Sequence, residues 1–164
     1  MKKPRLAAVS AVAALAAGVG LVFPASAQAA PTYWQFQNAR FGTCLTAGDS
    51  GTAFATSCVG STRQQWDWVG DGPGDYLELK NRNTGLCLVT DNKTNTNAVW
   101  TSTCNGSAGQ WWYYNGENQS VINLLGNNAG CLLRTSDVKD AVYATDPDQA
   151  GIGATYYQWA GTHD

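Results

Sequence analysis

The sequence predicts an all-β chain in which three copies of one unit close around a pseudo-threefold axis, and three observations predict it. A multi-part pattern recurs at a nearly fixed interval: cysteines lead at 44, 87 and 131, spaced 43 and 44 residues, and tryptophans close at 66, 112 and 159, spaced 46 and 47. Apolar residues show no helical period; short runs rich in Trp, Thr and Val alternate with Gly/Asn/Asp turns, as in a protein of many short strands. The chain is charge-poor, 13% against a typical quarter, while 11% aromatic residues supply large side chains to bury. A unit of this length cannot hide its own apolar face and must share a core with its neighbours. Three units meeting at one hub give a β-trefoil; a propeller blade has a similar period, but three blades are too few.

In chain order, the first element is an export signal over 1–27. It has a basic start (Lys2, Lys3, Arg5), an apolar stretch from Leu6 to Phe23, and small residues at Ala25-Ser26-Ala27. Cleavage after Ala27 is the first choice, with the Ala27-Gln28-Ala29 frame nearly as good. The rival is an uncleaved anchor, but the run is Ala-rich, barely long enough to span, and ends in Pro24. No other stretch approaches a membrane span, so an extracellular domain over 28–164 is expected. Losing three of 10 basic groups leaves seven against 12 acidic ones, a net charge near −5 that repels phosphate backbones and argues against nucleic acid.

The first repeat, about 32–71, reads Phe36-Gln37-Asn38, Gly42-Thr43-Cys44-Leu45, Ala53-Phe54-Ala55-Thr56-Ser57-Cys58 and Gln64-Gln65-Trp66. The second, about 75–116, reads Leu79-Lys80-Asn81, Gly85-Leu86-Cys87-Leu88, Ala98-Val99-Trp100-Thr101-Ser102-Thr103-Cys104 and Gln110-Trp111-Trp112. The third, about 120–164, is looser: Gly126-Asn127-Asn128, Gly130-Cys131-Leu132, Ala141-Val142-Tyr143-Ala144-Thr145-Asp146-Pro147 and Tyr157-Gln158-Trp159. Recurrence of the closing residues assigns Trp66, Trp112, Trp159, Gln64 and Gln110 to the core.

Five cysteines in an exported chain predict disulfides, and spacing alone permits several pairings. The repeat favours Cys44 with Cys58 and Cys87 with Cys104; their loops of 14 and 17 residues are worth about 3 kcal/mol each by chain entropy. Cys131 is then left over as a free, buried thiol, because Pro147 occupies its partner position.

No catalytic machinery is expected. An acyl-transfer triad needs a well-placed base, and the only histidine, His163, stands next to the last residue. Glycoside hydrolysis needs two facing carboxylates, but most acids here lie in Gly/Asn/Thr-rich stretches where Asp is an ordinary turn former. No Cys-x-x-Cys pair offers a metal site, and no Gly-rich phosphate loop or dinucleotide fingerprint follows an apolar strand, so no cofactor is expected.

Gly-x-Cys-Leu, an aromatic strand, a second Cys and Gln-x-Trp together resemble the ricin-type lectin repeat, over essentially the whole mature chain. In detail the units are most similar to small actinobacterial mannose-binding lectins of the actinohivin kind. The resemblance implies a β-trefoil, the same two disulfides, and a secreted module that binds glycans.

Sugar binding combines an aromatic face with a few fixed polar groups. Strand alternation puts Ala53, Ala55, Val99, Thr101, Val142 and Ala144 inward and Phe54, Trp100 and Tyr143 outward, one aromatic at an equivalent position in each unit. These aromatics either stack on a ligand or fill the floor between strands. The resemblance carries over Asn105 and Asp148 after the second Cys position, where the first unit has Val59, and Tyr156 ahead of the closing motif, where Arg63 and Gly109 stand elsewhere. It places an Asp two residues after the first Cys, and Thr46, Val89 and Leu133 occur there instead. Asp49, Asp91 and Asp137 follow a few residues later, either as replacement acceptors or as solvated turn acids. The alternative reading of the lost Asp is a protein-interaction trefoil, a protease inhibitor or a subunit of a secreted complex, with a secreted protein as partner.

Overall fold

The computed structural model describes residues 32–126, 131–138, 140–147 and 151–164; the predicted export signal, Asn127, Asn128, Gly130 and Asp148 lie outside them. The short runs form strands and the polar stretches form the turns between them. The first unit contributes β1 (Trp34–Asn38), β2 (Thr43–Ala47), β3 (Ala53–Ser57) and β4 (Trp66–Val69). The second contributes β5 (Leu77–Asn81), β6 (Cys87–Thr90), β7 (Thr96–Ser102) and β8 (Trp111–Asn115). The third contributes β9 (Ser120–Asn123), β10 (Cys131–Thr135), β11 (Val142–Thr145) and β12 (Trp159–His163). A single 3-10 turn precedes the closing strand of each unit, at Thr62–Gln64, Ala108–Gln110 and Ala154–Tyr156. No helix among the described residues is long and apolar enough to cross a membrane.

Six strands form a barrel: β12 pairs with β1, β1 with β4, β4 with β5, β5 with β8, and β8 with β9, all antiparallel. The ring closes between β9 and β12, where the Trp159 N–H donates to the Gln119 carbonyl at 2.7 Å. The remaining strands form three hairpins, β2–β3, β6–β7 and β10–β11. They cap the barrel and join one another through the β7–β11 ladder, the Thr52–Trp100 bridge and a bond from the Ala55 N–H to the Asp140 carbonyl. This is the β-trefoil the repeats predict.

The shared core draws one residue from each unit at each level. Phe36, Leu79 and Val121 form one set, Leu45, Leu88 and Leu133 another, and Trp66, Trp112 and Trp159 a third, all fully buried. A buried indole must still place its N–H. Here each tryptophan donates to the carbonyl of its own unit's leucine, Trp66 to Leu45 at 3.1 Å, Trp112 to Leu88 at 2.9 Å and Trp159 to Leu133 at 3.0 Å.

Those bonds correct the alignment of the third unit. Leu133 is the counterpart of Leu45 and Leu88, so Leu132 stands at the position of Cys44 and Cys87, and Cys131 lies one residue early. The pairing agrees, since Leu133 faces Ala144 as Leu45 faces Ala55. The residue two places after the leading position is therefore Arg134, not Leu133. The start of the unit moves as well: Val121-Ile122-Asn123, rather than Gly126-Asn127-Asn128, matches Phe36-Gln37-Asn38 and Leu79-Lys80-Asn81.

Candidate functional site

Each hairpin presents its outward aromatic opposite the residue two places after the leading position: Phe54 opposite Thr46, Trp100 opposite Val89, and Tyr143 opposite Arg134. Ala55, Val99, Thr101, Val142 and Ala144 on the other parity are buried, whereas the three aromatics are half-buried. Beside each aromatic, the loop after the second strand of the unit and the 3-10 turn provide two walls. The three clefts share this plan and differ in most polar groups, Asp49 and Asp137 standing at equivalent positions of the first and third.

In the first cleft Asp49 and Arg63 form an ion pair, with the Arg63 Nη2 donating at 2.6 Å. The guanidinium holds the Asp49 carboxyl below the usual carboxylate range, and Asp49 in turn raises Arg63. Both are substantially exposed, so water screens the pair. The Phe54 ring lies over Gly48, where an added Cβ would stand 3.4 Å from the ring.

In the second cleft Asp91 pairs with Lys93 at 3.1 Å. Counting from Leu88, the counterpart of Asp49 is Asn92, which donates to the Leu125 carbonyl at 2.6 Å and thereby ties this loop to the third unit. The Asn105 carboxamide oxygen accepts the Ser107 N–H at 3.0 Å within its own turn. Gly109 replaces Arg63 because the chain runs close here: a Cβ would come 2.0 Å from the Thr90 carbonyl oxygen. No side chain can form a wall at that point.

The third cleft holds a defined cavity. A cavity of about 350 Å³ is lined by Arg134, Ser136, Asp137, Val138, Ile152 and Tyr156, together with Gly151. The Tyr156 hydroxyl donates to Asp137 at 2.5 Å. Arg134 is 8% exposed, and its guanidinium carbon sits 5.2 Å from the centre of the Tyr143 ring. Of the residues expected here from sequence, Tyr156 lines the cavity, Tyr143 packs on its arginine, and Asp148 falls outside the described residues. Arg134 was missed, because its place in the unit emerges only from the corrected register.

The closing residues hold the clefts in shape. Gln64 donates to the Ser57 carbonyl at 2.9 Å and accepts the Val59 N–H at 2.9 Å; Gln110 does the same with the Thr103 carbonyl and the Asn105 N–H, both at 2.9 Å. Disulfides Cys44–Cys58 and Cys87–Cys104 brace the same loops of the first two units. In the third unit Tyr157 replaces the glutamine, and its hydroxyl accepts from Thr145 at 3.2 Å. Cys131 is free and buried, and burial pushes its thiol up to about 11. Glu78 lies close to Cys87 and Cys104, but both sulfurs are consumed in the disulfide and cannot ligate a metal.

A barrel of six strands capped by three hairpins, with an outward aromatic on each hairpin, defines the class of protein as a β-trefoil domain. The model of the ricin-type β-trefoil lectin domain matches residues 75–163, and that of the ricin-type β-trefoil lectin domain-like group matches 22–97. The chain belongs to the ricin-type β-trefoil lectin family. Among solved structures it is similar to the designed threefold-symmetric protein ThreeFoil, with TM-score 0.64 and 18% identity over 79% of this chain and 97% of that one. It is also similar to the β-trefoil lectin of the Vibrio vulnificus hemolysin/cytolysin with N-acetyl-D-lactosamine bound, with TM-score 0.63 and 22% identity over 82% and 96%. A third similarity is to an exo-β-1,3-galactanase from Clostridium thermocellum, with TM-score 0.62 and 21% identity; it covers 78% of this chain but only 29% of the galactanase. No curated protein matches the chain.

Proposed function

We propose that the protein is an exported carbohydrate-binding module whose three sugar clefts are rebuilt around non-standard polar groups. The observation that carries this reading is the repetition of one half-buried aromatic, Phe54, Trp100 and Tyr143, at equivalent outer positions beside hydrogen-bonding side chains. An aromatic face takes the apolar side of a pyranose, and nearby donors and acceptors fix its hydroxyls. In this reading Asp49 serves the first cleft, Asp91 and Asn105 the second, and Tyr156 with Asp148 the third. The Asp49 carboxylate is exposed and Asp91 pairs with an exposed lysine, so ligand hydroxyls can compete for both acids. The role is binding without catalysis, and three weak clefts on one rigid hub gain avidity on a repeating glycan. Two disulfides suit an oxidising, extracellular setting.

The test is titration with mannan, galactans and xylan, mannan first because of the likeness to actinobacterial mannose-binding lectins. At least one polysaccharide is expected to bind, and Trp100→Ala is expected to weaken it about fivefold to tenfold by loss of the stacking face. Folded protein that binds none of them would end this reading.

A further inference from the structure

We infer that the third cleft receives an acidic saccharide, with the sugar carboxylate held by the guanidinium of Arg134. This deepens the glycan-binding reading and rests on it. At the equivalent positions of the other units stand Thr46 and Val89, so a cation opposite the outward aromatic belongs to the third cleft alone. The side chain is more than nine-tenths buried, and a buried cation is costly unless something answers its charge. Yet the ion pairs among the described residues, Arg63 with Asp49 and Lys93 with Asp91, leave Arg134 out.

Its orientation is fixed. Nε donates to the Thr145 hydroxyl at 3.0 Å and Nη1 to the Thr135 carbonyl at 2.9 Å, while Thr145 donates onward to Tyr157. The Tyr143 ring covers one face of the guanidinium. A guanidinium has five N–H donors, and these bonds use two. The Nη2 end has no hydrogen-bond partner among the described residues, and the residue lines the 350 Å³ cavity. A planar fork of free donors in such a place matches a carboxylate in bidentate fashion.

The remaining groups of the cleft suit the rest of a uronic acid. Asp137 lies on the cavity wall, outside ion-pair distance of Arg134, and is exposed. Together with Tyr156 it offers an acceptor and a hydroxyl for ring hydroxyls, and Ile152 and Val138 offer apolar surface. A neutral sugar would offer the free donors of the guanidinium no charged acceptor. A bare inorganic anion would leave the Asp137–Tyr156 wall unused.

The experiment compares an oligogalacturonide with its carboxyl-reduced, neutral counterpart at fixed ionic strength, by calorimetric titration of the folded protein. The acidic ligand is expected to bind about tenfold tighter or more, the gain of one charge-assisted pair. Arg134→Gln is expected to remove that difference. Arg134→Lys keeps the charge but loses the fork, and is expected to give an intermediate preference. Equal binding of the two ligands by the unaltered protein would overturn the inference and leave the glycan-binding reading intact. Binding of neither, with all the polysaccharides also refused, would overturn both. If Arg134→Gln does not fold, the ligand pair on the unaltered protein and the lysine variant decide the matter.

Discussion

At the scale of single residues, the three units use the same positions for structure and different ones for chemistry. Trp66, Trp112 and Trp159 are interchangeable in environment, each buried and each bonded to a leucine carbonyl. Arg63, Gly109 and Tyr156 occupy one equivalent position and share nothing chemically. Cys131 illustrates how a residue can look like part of the repeat without being so. It sits one residue ahead of the disulfide position, 1% exposed, with a thiol raised to about 11 by loss of solvation. At pH 8 the reactive thiolate is then on the order of one part in a thousand. A disulfide reagent is expected to leave the native protein unlabelled over many minutes and to label one thiol per chain at once in denaturant. Rapid stoichiometric labelling of the native state would show that the thiol is open to solvent.

At the scale of elements, what links one unit to the next is a buried asparagine at the end of its first strand. Asn38 donates to the carbonyls of Tyr156 and Gln158, Asn81 to those of Arg63 and Gln65, and Asn123 to those of Gly109 and Trp111. Each unit thus clamps the 3-10 turn of the unit before it, the third being clamped by the first. All three side chains are fully buried, so an unanswered carbonyl there pays its full desolvation cost. Asn81→Ala is expected to cost about 2–4 kcal/mol, read as a lowered urea midpoint with an unchanged slope. Since Asn81 holds the turn that carries Arg63, the same variant is expected to loosen the first cleft and spare the third. The clamp was only partly legible in the sequence. Asn38 and Asn81 belong to the repeated pattern, but Gly126-Asn127-Asn128 obscures Val121-Ile122-Asn123, because a Gly-Asn turn is a stronger local signal than an apolar residue two places before Asn. The aromatics on the outer face were legible, since alternation along a strand is a backbone rule. The arginine of the third cleft was not, because its surroundings come from Tyr143 and Thr145, 9 and 11 residues on, and from Tyr157 behind Thr145.

At the scale of the whole molecule, the fold was readable because threefold recurrence is a packing requirement: no unit buries its own leucines and tryptophan, and the three sets complete one core. What the recurrence leaves unstated is where the two ends of the described chain lie in the ring. They lie side by side, with β1 and β12 paired over five residues from Trp34↔His163 to Asn38↔Trp159, and the Tyr33 N–H donating to the Asp164 carboxylate at 2.8 Å. Trp159 belongs both to that seam and to the core, so the first and last segments act as neighbouring strands of one barrel. The break between chain ends is then no more special than the turns between units. One of these, around Gly74, is exposed, has a φ of +63°, and has open space about it. A circular permutant that joins residue 164 to residue 32 through a short Gly/Ser linker and opens at Gly74 keeps every strand pairing and both disulfides. It is expected to unfold in one cooperative step within about 2 kcal/mol of the parent, the difference being set mainly by loop closure. A chain that simply ends at Gln158, by contrast, loses β12 and the third core tryptophan together and is expected to give no cooperative transition. Two separate transitions in the permutant would mean that the units are stable apart, and the shared hub would then not be what holds this protein together.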